Sequence, residues 1–159
     1  MRLLTGVSAI LISALIGWAP AVAEEMNPQA KLAVIEFLNR HADAVAKKDI
    51  KAVMELWAPD KTVLAFGSGP GDRFIEPHFV RRAYEEDFAG MGKVSIRYFD
   101  THIAARGDVA WFATAEIIEV DHIVGSVEIL ASWSGVLEKR DGKWLMVMSH
   151  FSTPQSGGK

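Results

Sequence analysis

One stretch constrains the fold of this 159-residue chain more than any other. It runs from Arg140-Asp141-Gly142-Lys143 through Trp144-Leu145-Met146-Val147-Met148 to Ser149-His150-Phe151-Ser152. Asp-Gly between two extended runs is a two-residue hairpin turn, because both central positions of that turn take positive φ. A strand apolar on both faces follows, and it must be covered on both faces. The imidazole of His150 therefore belongs either to a satisfied core or to a lined cavity.

The amino terminus has a different character. Met1-Arg2 is a short basic start, Leu3 to Trp18 is an apolar run, and Ala21-Val22-Ala23 is a small-x-small site followed by Glu24-Glu25. This is the layout of a secretory signal peptide at 1–23. Cleavage after Ala23 predicts a periplasmic or secreted protein with no stable membrane association. The alternative is an uncleaved anchor, for which the apolar run is short. Residues 24–153 then form one domain, and 154–159 a disordered tail. Removing residues 1–23 takes away only Arg2 among charged side chains, which leaves 16 basic against 20 acidic residues. A mildly acidic chain without a basic patch argues against nucleic acid as a partner. There is no Cys, so an exported domain of this kind is held by its core alone.

Asn27-Pro28 marks a helix start, and Ala30, Val34, Phe37, Leu38, His41, Ala44 and Val45 recur at helical spacing, which predicts a helix over 28–47. Asp49 caps a second, shorter helix with Trp57 on its apolar side. A short strand over 62–66 and a glycine-rich loop over 67–72 come next. Pro77 opens a third helix to about Phe88, closed by Gly90 and Gly92. From Val94 onward the pattern predicts an antiparallel meander with strands at 94–105, 108–120, 126–140 and 143–152.

Three helices before a long antiparallel sheet is the order of the cone-shaped nuclear transport factor 2-like (NTF2-like) fold, an α+β architecture with three N-terminal helices packed on a curved antiparallel sheet. Lys48-Asp49-Ile50 leading to Leu56-Trp57-Ala58-Pro59-Asp60 resembles the second-helix signature of that superfamily. Gly67-Ser68-Gly69-Pro70-Gly71-Asp72, Gly107-Asp108-Val109-Ala110-Trp111 and Asp141-Gly142-Lys143-Trp144 with His150-Phe151-Ser152 resemble its SnoaL-like branch. Two positions depart from the branch. Glu76-Pro77 stands where it usually has Gly before the third helix, and the glycine-rich loop carries one acidic residue instead of two. The superfamily includes isomerases, dehydratases, cyclases, binding proteins and association domains, so the resemblance implies a fold more than a reaction.

The turns also predict which side chains converge. A turn at Asp141-Gly142 places His150 opposite Trp133. A turn at Arg106-Gly107 places His102 opposite Trp111. Pairing Val120 with Ser126 places Ala113 opposite Trp133. One face then gathers Tyr98, Asp100, His102, Trp111, Trp133, Met148 and His150 around small residues. With Trp57, Tyr84 and Phe88 as a roof of helix residues, this composition suits a pocket for a small, partly apolar molecule. The opposite face carries Phe112, Val147 and Phe151, which predicts a homodimer that buries them. Glu116 falls on that same face, solvated or paired with Arg97.

Asp100 and His102 are two apart on one strand, about 7 Å between Cα atoms, so an oriented carboxylate–imidazole pair is feasible. The expected function is small-molecule binding. The alternatives are a cofactor-independent lyase or isomerase, with Asp100, His102 and His150 as its acid/base groups, and an association domain without catalysis. No cofactor is implied. No metal site is implied either, because Asp100 and His150 lie three strands apart, about 14 Å. His41 reads as a core or rim histidine.

Overall fold

The computed structural model describes residues 28–122 and 125–154. The expected signal peptide and the tail after Pro154 lie outside the described residues. Helix α1 spans Pro28–Ala46, α2 Ile50–Met54 and α3 Pro77–Gly90. The helical spacing of α1 buries Val34, Phe37, Leu38, His41 and Val45 along one stripe, as the sequence predicts. Asp49 caps α2 by accepting from the N–H of Ala52 at 3.0 Å. The Lys48 ammonium donates to the carbonyls of Phe88 and Met91 and satisfies the carboxyl end of α3.

Six strands form one curved, unclosed sheet: β1 Leu64–Phe66 and β2 Arg73–Ile75, which lie between α2 and α3, then β3 Val94–Arg106, β4 Val109–His122, β5 Gly125–Arg140 and β6 Lys143–Ser152 after α3. Their order is β2-β1-β6-β5-β4-β3. The antiparallel meander accounts for β3 to β6. The sheet as a whole is mixed, because β1 runs parallel to β6 along the edge that a four-strand meander leaves open. β2 was not expected; it pairs back on β1 across the glycine-rich loop.

The register corrects the expected pairing in three places. The β3–β4 turn is Gly107-Asp108, so His102 faces Ala113 and not Trp111. Across β4–β5, Val120 pairs with Val127 and Thr114 with Trp133, one residue from the expected frame. In β6, Leu137 faces Met146 but Val136 faces Met148, so Val147 is an extra residue and His150 lies opposite Ser134. A further irregularity sits in β3 between Phe99 and His102, where Asp100 takes a left-handed φ of 48°.

Each shift exchanges faces, because side chains alternate along a strand. The face under α1 carries Phe112, Thr114, Glu116, Trp133, Leu137, Met146 and Val147, all buried. Phe37, Phe112 and Trp133 pack ring to ring at its centre. Phe112 and Val147 are thus core residues, Phe151 packs half-buried against the same core, and the expected subunit interface through these three is withdrawn. Glu116 is buried as well; Arg97 faces Ile117 instead.

Candidate functional site

The interior gathers one polar cluster. His41 projects from the buried stripe of α1 into the sheet. Its Nδ1 lies 2.7 Å from the Tyr98 hydroxyl and its Nε2 lies 2.8 Å from the Tyr84 hydroxyl. Burial pushes its pKa down to about 4, so the ring is neutral at pH 7. A neutral imidazole has one N–H and one bare nitrogen. One phenol therefore donates to the ring, while the other accepts from it and keeps its own proton for a further partner. Burial raises the pKa of both phenols, so both stay protonated.

Aromatic rings wall this cluster. The His41 ring lies 4.5 Å from the Trp133 ring, centroid to centroid, and Tyr98 stacks on Trp133 at 5.8 Å. The Trp133 indole donates to the Ser149 hydroxyl at 2.7 Å. Tyr84 and Phe88, one turn apart on α3, are 5.9 Å apart. Trp57 is buried and adjoins the Tyr84 hydroxyl.

Glu116 sits on β4 between Tyr98 of β3 and Ala131 of β5. It is 2 % exposed and, among the described residues, its carboxyl makes no side-chain hydrogen bond and no ion pair. Among the described residues, no fully sealed side-chain nitrogen or oxygen lacks a partner. The Glu116 carboxyl oxygens are therefore almost, but not completely, sealed from solvent. Burial raises the Glu116 pKa to about 7. On α3, the Asp87 carboxyl is also raised, by burial and then by the charges of Asp72 and Glu86.

Of the residues expected in the pocket, Tyr84, Tyr98, Trp133, Phe88 and Trp57 do converge under the helices. Asp100, His102, Trp111, Met148 and His150 do not; they lie on the outer face, because the β3 and β6 irregularities and the β4 frame turn them over. The Asp100–His102 pair does form, with Oδ1 and Nε2 3.3 Å apart, but its side chains are 77 % and 81 % exposed. Trp111 is 46 % exposed. It borders a trough of about 520 Å³ with His102, Ala113, Ser134 and Met148. An adjoining trough of about 410 Å³ includes Asp100, His150, Ser132 and Ser152. No group of three potential metal ligands occurs among the described residues.

Glu116 is the buried carboxyl that sequence reasoning left on the outer face. The only signal for it was the row Ala110, Phe112, Thr114, Glu116, which alternates with Trp111, Ala113, Ala115. Choosing between the two rows needed the β4–β5 frame.

Comparison with known proteins agrees with this architecture. The SnoaL-like domain family matches residues 34–156, and the chain belongs to that family. An NTF2-like protein of unknown function from Pseudomonas putida KT2440 superposes with a TM-score of 0.71 at 18% identity, covering 81% of this chain and 89% of that one. An NTF2-like superfamily protein from Salmonella enterica gives 0.73 at 16% identity, over 82% and 95% of the two chains. The association domain of C. elegans CaMKII gives 0.64 at 21% identity, over 79% and 97%. At these identities the likeness is one of fold. No curated protein matches the chain.

Proposed function

We propose that the mature chain is an exported small-molecule-binding protein of the SnoaL-like type. Its ligand lies against the interior cluster of His41, Tyr84, Tyr98, Trp133 and Glu116. One observation carries this reading: Glu116 is a buried carboxyl with no side-chain partner among the described residues, set beside the phenol of Tyr98. Such a group costs folding free energy, and costs of that kind concentrate at functional sites. The rings of Tyr84, Phe88 and Trp133 suit a small, partly apolar molecule. The test is native mass spectrometry of the protein from its own exported fraction, with sequencing of its amino terminus. The expected result is a chain that begins at Glu24 and carries a small molecule, which Glu116→Ala loses. A chain that begins at Met1 overturns the export; a ligand retained by Glu116→Ala overturns the site.

A second reading, compatible with the first, is self-association through the outer face. Trp111, Phe99 and Leu130 are exposed there around the small side chains of Ala113, Ala115, Ser132 and Ser134. A bulky knob and a trough of small residues on one face are self-complementary under a two-fold axis. A homodimer through this face replaces the one expected through Phe112 and Val147.

A further inference from the structure

We infer that the interior site accepts a cation: a small organic amine on an apolar or aromatic body, its ammonium group paired with the Glu116 carboxylate. This rests on the interior-site reading above and names the class of ligand.

The argument begins with what faces Glu116. Tyr98 comes from β3 and Ala131 from β5. Tyr84 and Asp87 of α3 belong to the same electrostatic neighbourhood. His41 of α1 joins the two phenols, and both its ring nitrogens are engaged. None of these groups is a cation. His41 stays neutral at pH 7 because burial holds its pKa at about 4. After burial, the groups that raise the pKa values of Tyr84, Tyr98 and Asp87 are acidic: Glu116 and Asp87 for Tyr84, Glu116 and Tyr84 for Tyr98, and Asp72 and Glu86 for Asp87. Lys48 is the ammonium at the end of α3, and the carbonyls of Phe88 and Met91 hold it. Among these described residues, the charges near Glu116 are thus acidic, with Glu116 itself buried and Asp87 on the exposed side of α3.

The walls favour the same ligand class. Ring faces carry the negative end of the aromatic quadrupole and attract ammonium groups. Tyr98 and Trp133 stack side by side, and Tyr84 and Phe88 meet across α3. A carboxylate ligand meets repulsion from Glu116 and Asp87. A neutral ligand leaves the Glu116 charge unanswered. An ammonium answers it, beside the phenol rings of Tyr84 and Tyr98.

Proton linkage gives the inference a signature. The amine binds the ionised form of Glu116, whose pKa is about 7. Affinity should rise with pH up to that value and level off above it, with proton release on binding at pH 6.

The experiment compares benzylamine, benzyl alcohol and benzoate on the mature full chain. Calorimetry in two buffers of different ionisation enthalpy and the NMR signal of the Trp133 indole N–H are the readouts. At pH 8 benzylamine should bind at least about tenfold more tightly than benzyl alcohol, and that advantage should shrink roughly tenfold by pH 6. Glu116→Gln should abolish the advantage of benzylamine over benzyl alcohol, with an unchanged Trp133 indole N–H signal in the unliganded protein showing that the variant is folded. Benzyl alcohol or benzoate binding as tightly as benzylamine overturns the inference and leaves the interior-site reading standing. An undiminished benzylamine affinity in Glu116→Gln overturns it equally. Failure of all three probes to bind overturns the interior-site reading and the inference together.

Discussion

Trp133 donates its indole N–H to the Ser149 hydroxyl at 2.7 Å, and the bond exists because β6 holds one residue more than the strand it faces. Val147 is that residue. It and Met146 are both buried, and from Val147 onward the odd-numbered side chains point inward. Ser149 is thereby set against Trp133, and His150 is turned to the outer face.

Ser149→Ala should leave the indole N–H buried without an acceptor. The expected loss is about 1–3 kcal/mol of stability, with a shift in tryptophan emission. Urea unfolding followed by fluorescence measures both. Unchanged stability would mean that the indole finds another acceptor.

Glu116 and His41 should oppose each other in the pH dependence of stability. The Glu116 pKa is raised in the folded state, from 4.5 to about 7. Its contribution is fully present below 4.5 and is lost as pH rises through 7. The His41 pKa is lowered, from 6.5 to about 4. Its contribution is present above 6.5 and is lost as pH falls through 4. Between pH 4.5 and 6.5 the two slopes cancel, each on the order of 1.4 kcal/mol per pH unit. Relative to the wild type, Glu116→Gln should gain stability with rising pH over this window, reaching roughly 3 kcal/mol above pH 7. Denaturant midpoints at pH 4.5, 5.5, 6.5 and 8 give the difference curve; a flat one would place Glu116 in an environment that does not disfavour its charge.

The sequence made some of this legible and left the rest hidden, for physical reasons. Helical spacing and a Pro start marked α1, and Asp141-Gly142 marked the last hairpin, because those signals are local. The residues of β2, Arg73 to Ile75, are too few to show an alternation. The parallel pairing of β1 with β6 joins segments far apart in sequence. The extra residues at Asp100 and Val147 leave no compositional trace, yet each turns over every side chain beyond it. On β4 a row containing Thr114 and Glu116 looked like the solvent face. The β4–β5 frame turns that row inward, and the carboxyl is buried against the pattern. Hence Trp133 and Tyr98 were placed correctly, whereas Asp100, His102 and His150 were placed inside and lie outside.

Glu76 takes φ 76° and ψ 149°, a backbone region that only glycine occupies without strain. Its N–H is anchored to the Val63 carbonyl at 3.1 Å, which fixes the geometry before α3. The side chain contributes only surface contacts, 3.9 Å to Lys61 and 3.6 Å to His78. The SnoaL-like branch usually has glycine at this point. Glu76→Gly should therefore stabilise the fold by about 1 kcal/mol, the released strain exceeding the added freedom of the unfolded chain. Glu76→Val should destabilise it. Thermal unfolding of the two variants decides; a destabilised glycine variant would mean that the side-chain contacts outweigh the strain.

Trp111 and Phe112 are neighbours on β4 with opposite surroundings, 46 % and 2 % exposed. If two copies pair through the outer face, Trp111 is a central anchor, because it stands beside the trough formed by Ala113, Ser134 and Met148. Trp111→Ala should then weaken self-association by roughly 2 kcal/mol or more, about thirtyfold in the dissociation constant. The stability of the single chain should hardly change, because the ring leaves no core cavity behind. Phe112→Ala should do the reverse. It removes a ring packed between Phe37 and Trp133, which should cost about 3–5 kcal/mol of folding stability with no selective effect on pairing. Sedimentation equilibrium across micromolar concentrations, paired with urea unfolding, separates the two effects. A wild-type protein that stays monomeric throughout, or a Trp111→Ala variant that pairs as tightly as the wild type, removes the outer face as the interface.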